Sequence, residues 1–287
     1  MVFDRRRDIA SQGHRAPLRS ITVRVVALAM LAGPGCHDQG PASPTSVGTS
    51  TPVSITHTDR ATAGPWFVDR AHDYGVDVVT KCGSLRKQSL LDSLGTGVAL
   101  FDFDGDGDLD IFVAPGSQVV DGEVVSAGGP WLFRNDGRGR WTDVSARSGL
   151  HHTGWAQGVA VCDYDADGDL DLFVAQHGPD TLWQNQGDGK FRDVTTEAGL
   201  SDSEWGVSAT WGDYDGDGWP DLYVTNYVDI NALKAPDPID YYGGSIRVFR
   251  GPEYLAGQPD RLWRNRGNGT FEDVTKSAGL YNPQRHR

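Results

Sequence analysis

Two blocks of sequence alternate along this chain, and that recurrence constrains the fold more than any other feature. The first block, GVALFDFDGDGDLDIFVA (97–114), returns as GVAVCDYDADGDLDLFVA (158–175) and more loosely as VSATWGDYDGDGWPDLYVT (207–225). The second, WLFRNDGRGRWTDVSARSGL (131–150), returns as TLWQNQGDGKFRDVTTEAGL (181–200) and RLWRNRGNGTFEDVTKSAGL (261–280). A divergent tail of the second block begins at Phe67, with Asp69 and Gly75 at the offsets held by Asp143 and Gly149 from Trp141, Asp193 and Gly199 from Phe191, and Asp273 and Gly279 from Phe271. These starts define units of 74, 50 and 80 residues. Repeats of this size signal stacked supersecondary units, and short strands rich in aromatics and turns favour propeller blades. With 37 Gly, nine Trp and nine Tyr against two Met, the composition suits a turn-rich β protein rather than a helical bundle. The expected fold is all-β, a partial β-propeller of about three and a half blades over residues 66–287.

Each first block carries a crowd of aspartates. Asp102, Asp104, Asp106, Asp108 and Asp110 fill the first loop, and Asp163, Asp165, Asp167, Asp169 and Asp171 the second. Asp213, Asp215, Asp217 and Asp221 fill the third. These fourteen carboxylates account for the whole excess behind the net charge of −13. Such crowding is unfavourable unless a cation sits among the carboxylates. The shared pattern, D-x-D-x-D-G-x-x-D, places side-chain oxygens at positions 1, 3, 5 and 9 and a backbone carbonyl at position 7, with glycine at position 6 permitting the sharp bend. This is a ligand set for a hard cation that takes six to eight oxygens. Position 7 is Asp108, Asp169 or Trp219, and Trp is acceptable because only the carbonyl is needed. The expectation is Ca²⁺ at about three sites.

Rival readings of the loops fit the residues less well. An EF-hand needs Glu at position 12, where this chain has Val113, Val174 and Val224 inside apolar runs. Mg²⁺ keeps its waters and takes fewer protein ligands. Aspartates that merely cap turns would not require one spacing in three copies. The runs after each loop (109–114, 170–175 and 222–225) are short, apolar and rich in β-branched and aromatic residues, as buried strands are.

The second block supplies hairpin turns at Arg138-Gly139, Asp188-Gly189 and Asn268-Gly269, where positive φ is required. Asn268-Gly269-Thr270 therefore reads as a turn before it reads as a glycosylation sequon. Asp143, Asp193 and Asp273 are expected to cap local turns. Trp183 with Trp263, and Trp155 with Trp205, recur at matched positions and read as packing between blades. His151, His152 and His177 lack catalytic partners and read as loop or packing residues. Cys162 aligns with Phe101 and Gly212 and reads as a small, buried apolar residue rather than as half of a Cys82–Cys162 bridge.

The first 36 residues read as an export signal: six arginines before an apolar stretch from Val25 to Ala32, then Gly33-Pro34-Gly35-Cys36. The closing cysteine resembles a lipoprotein signal, with Cys36 as the lipidated residue; the alternative is ordinary cleavage. Residues 37–65, rich in Ser, Thr and Pro, form a linker. No run of about 18 apolar residues is present to span a membrane. The acidity argues against a nucleic-acid partner. Membrane contact is expected only through a lipid anchor at Cys36, which places the chain at the bacterial cell envelope or outside the cell.

The Asp loop between a G-V-A strand and an L-F-V strand resembles the FG-GAP/VCBS repeats of integrin-α-type β-propellers. The fuller string, with LWxNxGxGxFxDVTxxAGL and Asn226-Tyr227-Val228-Asp229, is similar to the cartilage acidic protein family and its bacterial relatives, which often carry a C-terminal ASPIC/UnbV domain. That family's propeller has about seven blades. This chain supplies three units and the opening of a fourth, and the cysteine pair of the family's long insert is replaced here by Tyr241, Tyr242 and Arg250. The resemblance thus implies a truncated propeller or a half that pairs with another chain. It also implies an exported, calcium-stabilised module for adhesion or protein interaction, acting on a protein or glycan ligand. A carbohydrate-binding propeller is the first alternative, and a non-catalytic half of a larger propeller enzyme the second. The chain has no HExxH, P-loop or GxSxG motif, so it is expected not to be an enzyme.

Overall fold

A computed structural model describes residues 67–83, 91, 94–120, 123–229 and 255–281, together with two short strands at 239–241 and 246–248. The expected export signal with Cys36 and the expected linker lie outside the described residues. The fold sits within a compact unit, Gly64–Arg287.

Three four-stranded antiparallel sheets carry the architecture. The first is built from β1 (Val98–Phe101), β2 (Asp110–Val113), β5 (Trp131–Asn135) and β6 (Trp141–Asp143). The second holds β7 (Trp155–Cys162), β8 (Asp171–His177), β9 (Thr181–Asn185) and β10 (Phe191–Asp193). The third holds β11 (Gly206–Gly212), β12 (Asp221–Asn226), β15 (Arg261–Asn265) and β16 (Phe271–Asp273). Each is an up-and-down meander, as blades of a propeller are. Two hairpins complete the strands, β3 (Gly116–Val120) with β4 (Glu123–Gly128), and β13 (Ile239–Tyr241) with β14 (Ile246–Val248).

These hairpins explain the uneven repeat. Both fall between the second and third strands of a sheet, in the first and third blades. The second blade crosses the same gap through Gly178-Pro179-Asp180 alone. The sequence unit is also offset from the blade by one strand: Trp141, Phe191 and Phe271 each open the outermost strand of the preceding sheet. The tail that begins at Phe67 keeps its Asp69 turn, with the Ala71 amide donating to Asp69 at 3.0 Å, but forms no strand.

Alternation along the strands builds the core. Strand β8 is buried on both faces. Leu172 and Val174 pack with Phe101, Phe112, Leu132 and Trp183 against the first sheet. Phe173 and Ala175 pack with Leu222, Val224 and Trp263 against the third. Trp155 and Trp205 are fully buried in a further cluster at the strand ends away from the Asp loops. The outward face of the first sheet exposes Val98 and Leu100, at 62% and 63%, whereas β11 turns Ser208 and Thr210 outward.

Each blade is also tied to the next by backbone. The tail of one unit accepts from the outer strand of the following one: Trp141 N donates to Tyr74 O at 2.8 Å, Phe191 N to Ser148 O at 2.7 Å and Phe271 N to Ala198 O at 2.8 Å. Gly75 and Gly149 pass so close that a Cβ would stand 2.6 Å from the carbonyl of Trp141 and of Phe191. Gly149 also has φ +79. Gly149→Ala is therefore expected to cost about 1–3 kcal/mol in urea unfolding, from strain plus the clash. Gly279, at φ +74 with nothing within 4 Å, should cost only about 1 kcal/mol as alanine. Equal losses at the two sites would contradict the docking role.

Candidate metal centre

The Asp loops join the first and second strands of each sheet, and meander topology brings the N-x-G-x-G turns between third and fourth strands to the same end. Within each loop, oxygens of three aspartates lie within 4.8 Å of one another: Asp102, Asp104 and Asp110; Asp163, Asp165 and Asp171; Asp213, Asp215 and Asp221. Positions 1, 3 and 9 of the sequence pattern are thus assembled.

The other positions shape the loop. Asp106, Asp167 and Asp217 accept the amide two residues on, each at 2.9 Å, from Asp108, Asp169 and Trp219. They stand outside the three-carboxylate groups, and so do the side chains at position 7. Those of Asp108, Asp169 and Trp219 lie instead over Gly137, Gly187 and Gly267 of the neighbouring turn, where a Cβ would collide with them. The position thus accepts Asp or Trp and requires glycine opposite. Position 1 fixes the bend, since Asp102 accepts amides from Asp106 and Gly107, Asp163 from Asp167 and Gly168, and Asp213 from Gly216, Asp217 and Gly218.

Position 9 does two jobs. Asp171 is 1% exposed, accepting the Asn185 amide at 2.8 Å and the Tyr164 amide at 3.1 Å. Asp110 and Asp221 make the same pairs of bonds with Asn135 and Phe103, and with Asn265 and Tyr214. Burial pushes the Asp171 carboxyl up to about 8 and the Asp110 carboxyl up to about 6, and raises Asp221, against the pull of those amides and with help from the other aspartates. Asp104 is raised by burial and by Asp106. A carboxyl so buried holds either a proton or a neighbouring cation. Asp165 adds a direct sign: its Oδ1 is buried with no donor, while Gln184 Nε2 donates to Oδ2 at 2.6 Å. The three clusters can hold metal ions, and their all-oxygen donor chemistry fits a hard divalent cation.

The sequence reading missed one residue type at this end. Asn185 is fully buried, and its Nδ2 donates to Phe103 O in the preceding blade at 2.7 Å and to Leu170 O at 3.2 Å. Asn265 donates likewise to Tyr164 O and Pro220 O, at 2.8 and 3.1 Å. Their own Oδ1 atoms accept from Gly187 and Gly267. These asparagines staple each blade to the Asp loop before it. Among the described residues, the Asn135 Nδ2 donates only to Leu109 O, in its own blade.

The remaining candidates have packing roles. Asp143, Asp193 and Asp273 cap turns by accepting from Ser145, Thr195 and Thr275. Asn268 accepts from the Thr270 amide and hydroxyl. His151 meets Trp183 edge-on at 4.8 Å and His177 meets Trp205 at 4.9 Å. Burial lowers His177 to about 4. His152 Nε2 lies 2.9 Å from the Ser117 hydroxyl. Cys162 is half-buried with a free thiol, so no bridge joins it to Cys82.

The profile of the FG-GAP-like repeat matches residues 102–174 and 163–224, which span the first two Asp loops and continue through the third. FG-GAP-like repeats are thus detected over residues 102–224. No curated protein matches it. Among solved structures, one similar chain is a lectin of Agrocybe aegerita described as recognising non-reducing terminal N-acetylglucosamine. The identity is 18% and the TM-score 0.29, over 61% of this chain and 50% of the lectin, so this chain covers half the lectin's length. In each of the three sheets, one Asp loop is paired with one asparagine of the N-x-G-x-G turn.

Proposed function

We propose that this protein is an exported, calcium-loaded interaction module without enzymatic activity, of the cartilage acidic protein type. The observation that carries the calcium reading is the convergence of three aspartates in each of three FG-GAP-like loops, one of them with a buried oxygen lacking any donor. Ca²⁺ tolerates irregular oxygen shells better than Mg²⁺ does, and each loop offers three close carboxylates. Export is supported by the basic and apolar N-terminal segment, and adhesion or protein binding by the repeat type.

Isothermal titration of metal-free protein with CaCl₂ tests the reading. The expected result is about three sites, with dissociation constants of about 0.1–1 mM as for extracellular-type loops, and weaker binding of Mg²⁺. Repeating the titration at pH 7 in buffers of different ionisation heat should reveal proton release, because calcium must displace the proton held by Asp171. Absence of calcium heat, or calcium binding left unchanged by Asp104→Ala, Asp165→Ala and Asp215→Ala, would overturn it.

A further inference from the structure

At the end of the strands opposite the Asp loops, a cavity of about 640 Å³ opens between the second and third sheets. Asp180, Thr181, Asp202, Glu204 and Arg261 line it. Asp180 is only 1% exposed; its Oδ1 accepts the Gln176 amide at 2.9 Å, but its Oδ2 has no donor. Asp202 Oδ1 and Thr181 Oγ1 are likewise buried without partners. Three oxygens of residues lining this cavity thus have no hydrogen-bond partner, and the Nε of Arg261, a donor, is likewise unpaired.

The chain contains its own control. Pro179-Asp180 recurs as Pro259-Asp260, and β8 aligns with β12 so that Phe173 corresponds to Tyr223. In the third blade, Asp260 Oδ1 accepts the Asn226 amide at 2.9 Å and Oδ2 accepts the Tyr223 hydroxyl at 2.9 Å. In the second blade, Phe173 has no hydroxyl to give. Gly206 also leaves room, since a Cβ there would collide with the Asp180 carboxylate. The second blade keeps the aspartate and loses its donor.

The charge balance says what is missing. Arg261 is the cavity's one cation among its described lining, and it is held by Glu204 and by Asp273 at 3.0 Å. It leaves Asp180 and Asp202 without an ion pair, although its charge offsets part of the burden on Asp202. Burial, then mutual repulsion with Asp202, raises the Asp180 carboxyl. For both carboxyls to be ionised, the buried pair needs a cation that also brings hydrogen-bond donors. A metal ion fits poorly: among the described residues, clusters of three close carboxylates occur only in the Asp loops, and a calcium ion needs six to eight oxygens. An ammonium group brings a positive charge together with three N–H donors, and the cavity has room for the carbon chain behind it.

We propose that this cavity binds a primary ammonium group, seated on Asp180, Asp202 and Thr181. A free amine and a lysine side chain of a partner present the same chemistry. The site is independent of the calcium reading, and the test keeps the two apart by using the full chain with calcium present throughout.

Calorimetric titration with n-butylammonium chloride should give saturable binding. 1-Butanol, which lacks the charge, and tetramethylammonium, which lacks N–H donors, should give none. Asp202→Asn should weaken binding about tenfold, as expected for loss of one charge-assisted hydrogen bond. Phe173→Tyr is the sharper variant: it supplies Asp180 with the donor that Tyr223 gives Asp260, so it should abolish binding while the melting temperature stays level or rises. A capped lysine tripeptide binding more tightly than butylammonium would assign the site to a partner's lysine, and equal affinity to a free amine. No saturable binding of either, binding of tetramethylammonium equal to that of butylammonium, or full binding in a folded Phe173→Tyr protein would overturn the proposal.

Discussion

Asn185→Ala is expected to destabilise the protein sharply. It leaves the carbonyls of Phe103 and Leu170 and the amide of Gly187 without their side-chain partners. At about 1–3 kcal/mol for each of the two carbonyls left unpaired, the loss should reach about 2–6 kcal/mol. For a domain of this size that corresponds to a fall in Tm of about 10–20 °C. Asn265→Ala should behave alike, since it bridges Tyr164 O and Pro220 O in the same manner. Asn135→Ala should cost only about 1 kcal/mol, because its one carbonyl partner lies in its own blade and near solvent. Thermal melts of the three variants test this order. If Asn135→Ala proved as damaging as Asn185→Ala, the staple between blades would not be what holds the sheets together.

The repeating scaffold was legible in the sequence because the scaffold is local. Period-2 runs, Asn-Gly and Asp-Gly turns and the D-x-D-x-D-G spacing each act within about ten residues, and strands, hairpins and Asp loops stand where these signals place them. What stayed hidden acts across blades. Asn185 meets Phe103 82 residues away, and Asn265 meets Tyr164 101 residues away. One signal was available: Asn135, Asn185 and Asn265 are constant across copies while the next residue runs through Asp136, Gln186 and Arg266. A turn needs no asparagine four residues before its Gly139, Gly189 or Gly269, so constancy there points to a distant contact. The offset between sequence unit and blade was hidden for a related reason, since a repeat has no marked start in sequence. The Asp180 cavity was hidden because Phe173 is unremarkable alone; it gains meaning only when set beside Tyr223 and Asp260.

Removing calcium should loosen the three blades together, and the size of that effect should depend on pH in a defined direction. At about 1 mM calcium and dissociation constants of about 0.1–1 mM, each site adds about 0.4–1.4 kcal/mol. Three sites then contribute about 1–4 kcal/mol, or about 3–15 °C in Tm, lost on adding a chelator. In the metal-free protein Asp171 titrates at about 8 and Asp110 at about 6, both raised by burial. The folded state therefore binds more protons than the unfolded state between about pH 4 and these values. Stability contributed by the protonated forms is complete below about pH 4 and is lost as pH rises toward 6 for Asp110 and 8 for Asp171. Calcium needs the ionised carboxylates, so its binding strengthens over the same interval. The gap in Tm between calcium and chelator should widen from about pH 5 to about pH 8, measured by scanning fluorimetry or calorimetry. Asp171→Asn should narrow that gap at the alkaline end and flatten its dependence on pH, because the amide keeps the buried acceptor for Asn185 or Tyr164 but carries no charge for the ion. A gap that stayed constant across the range, or widened toward acid, would mean that calcium does not act through these buried carboxylates.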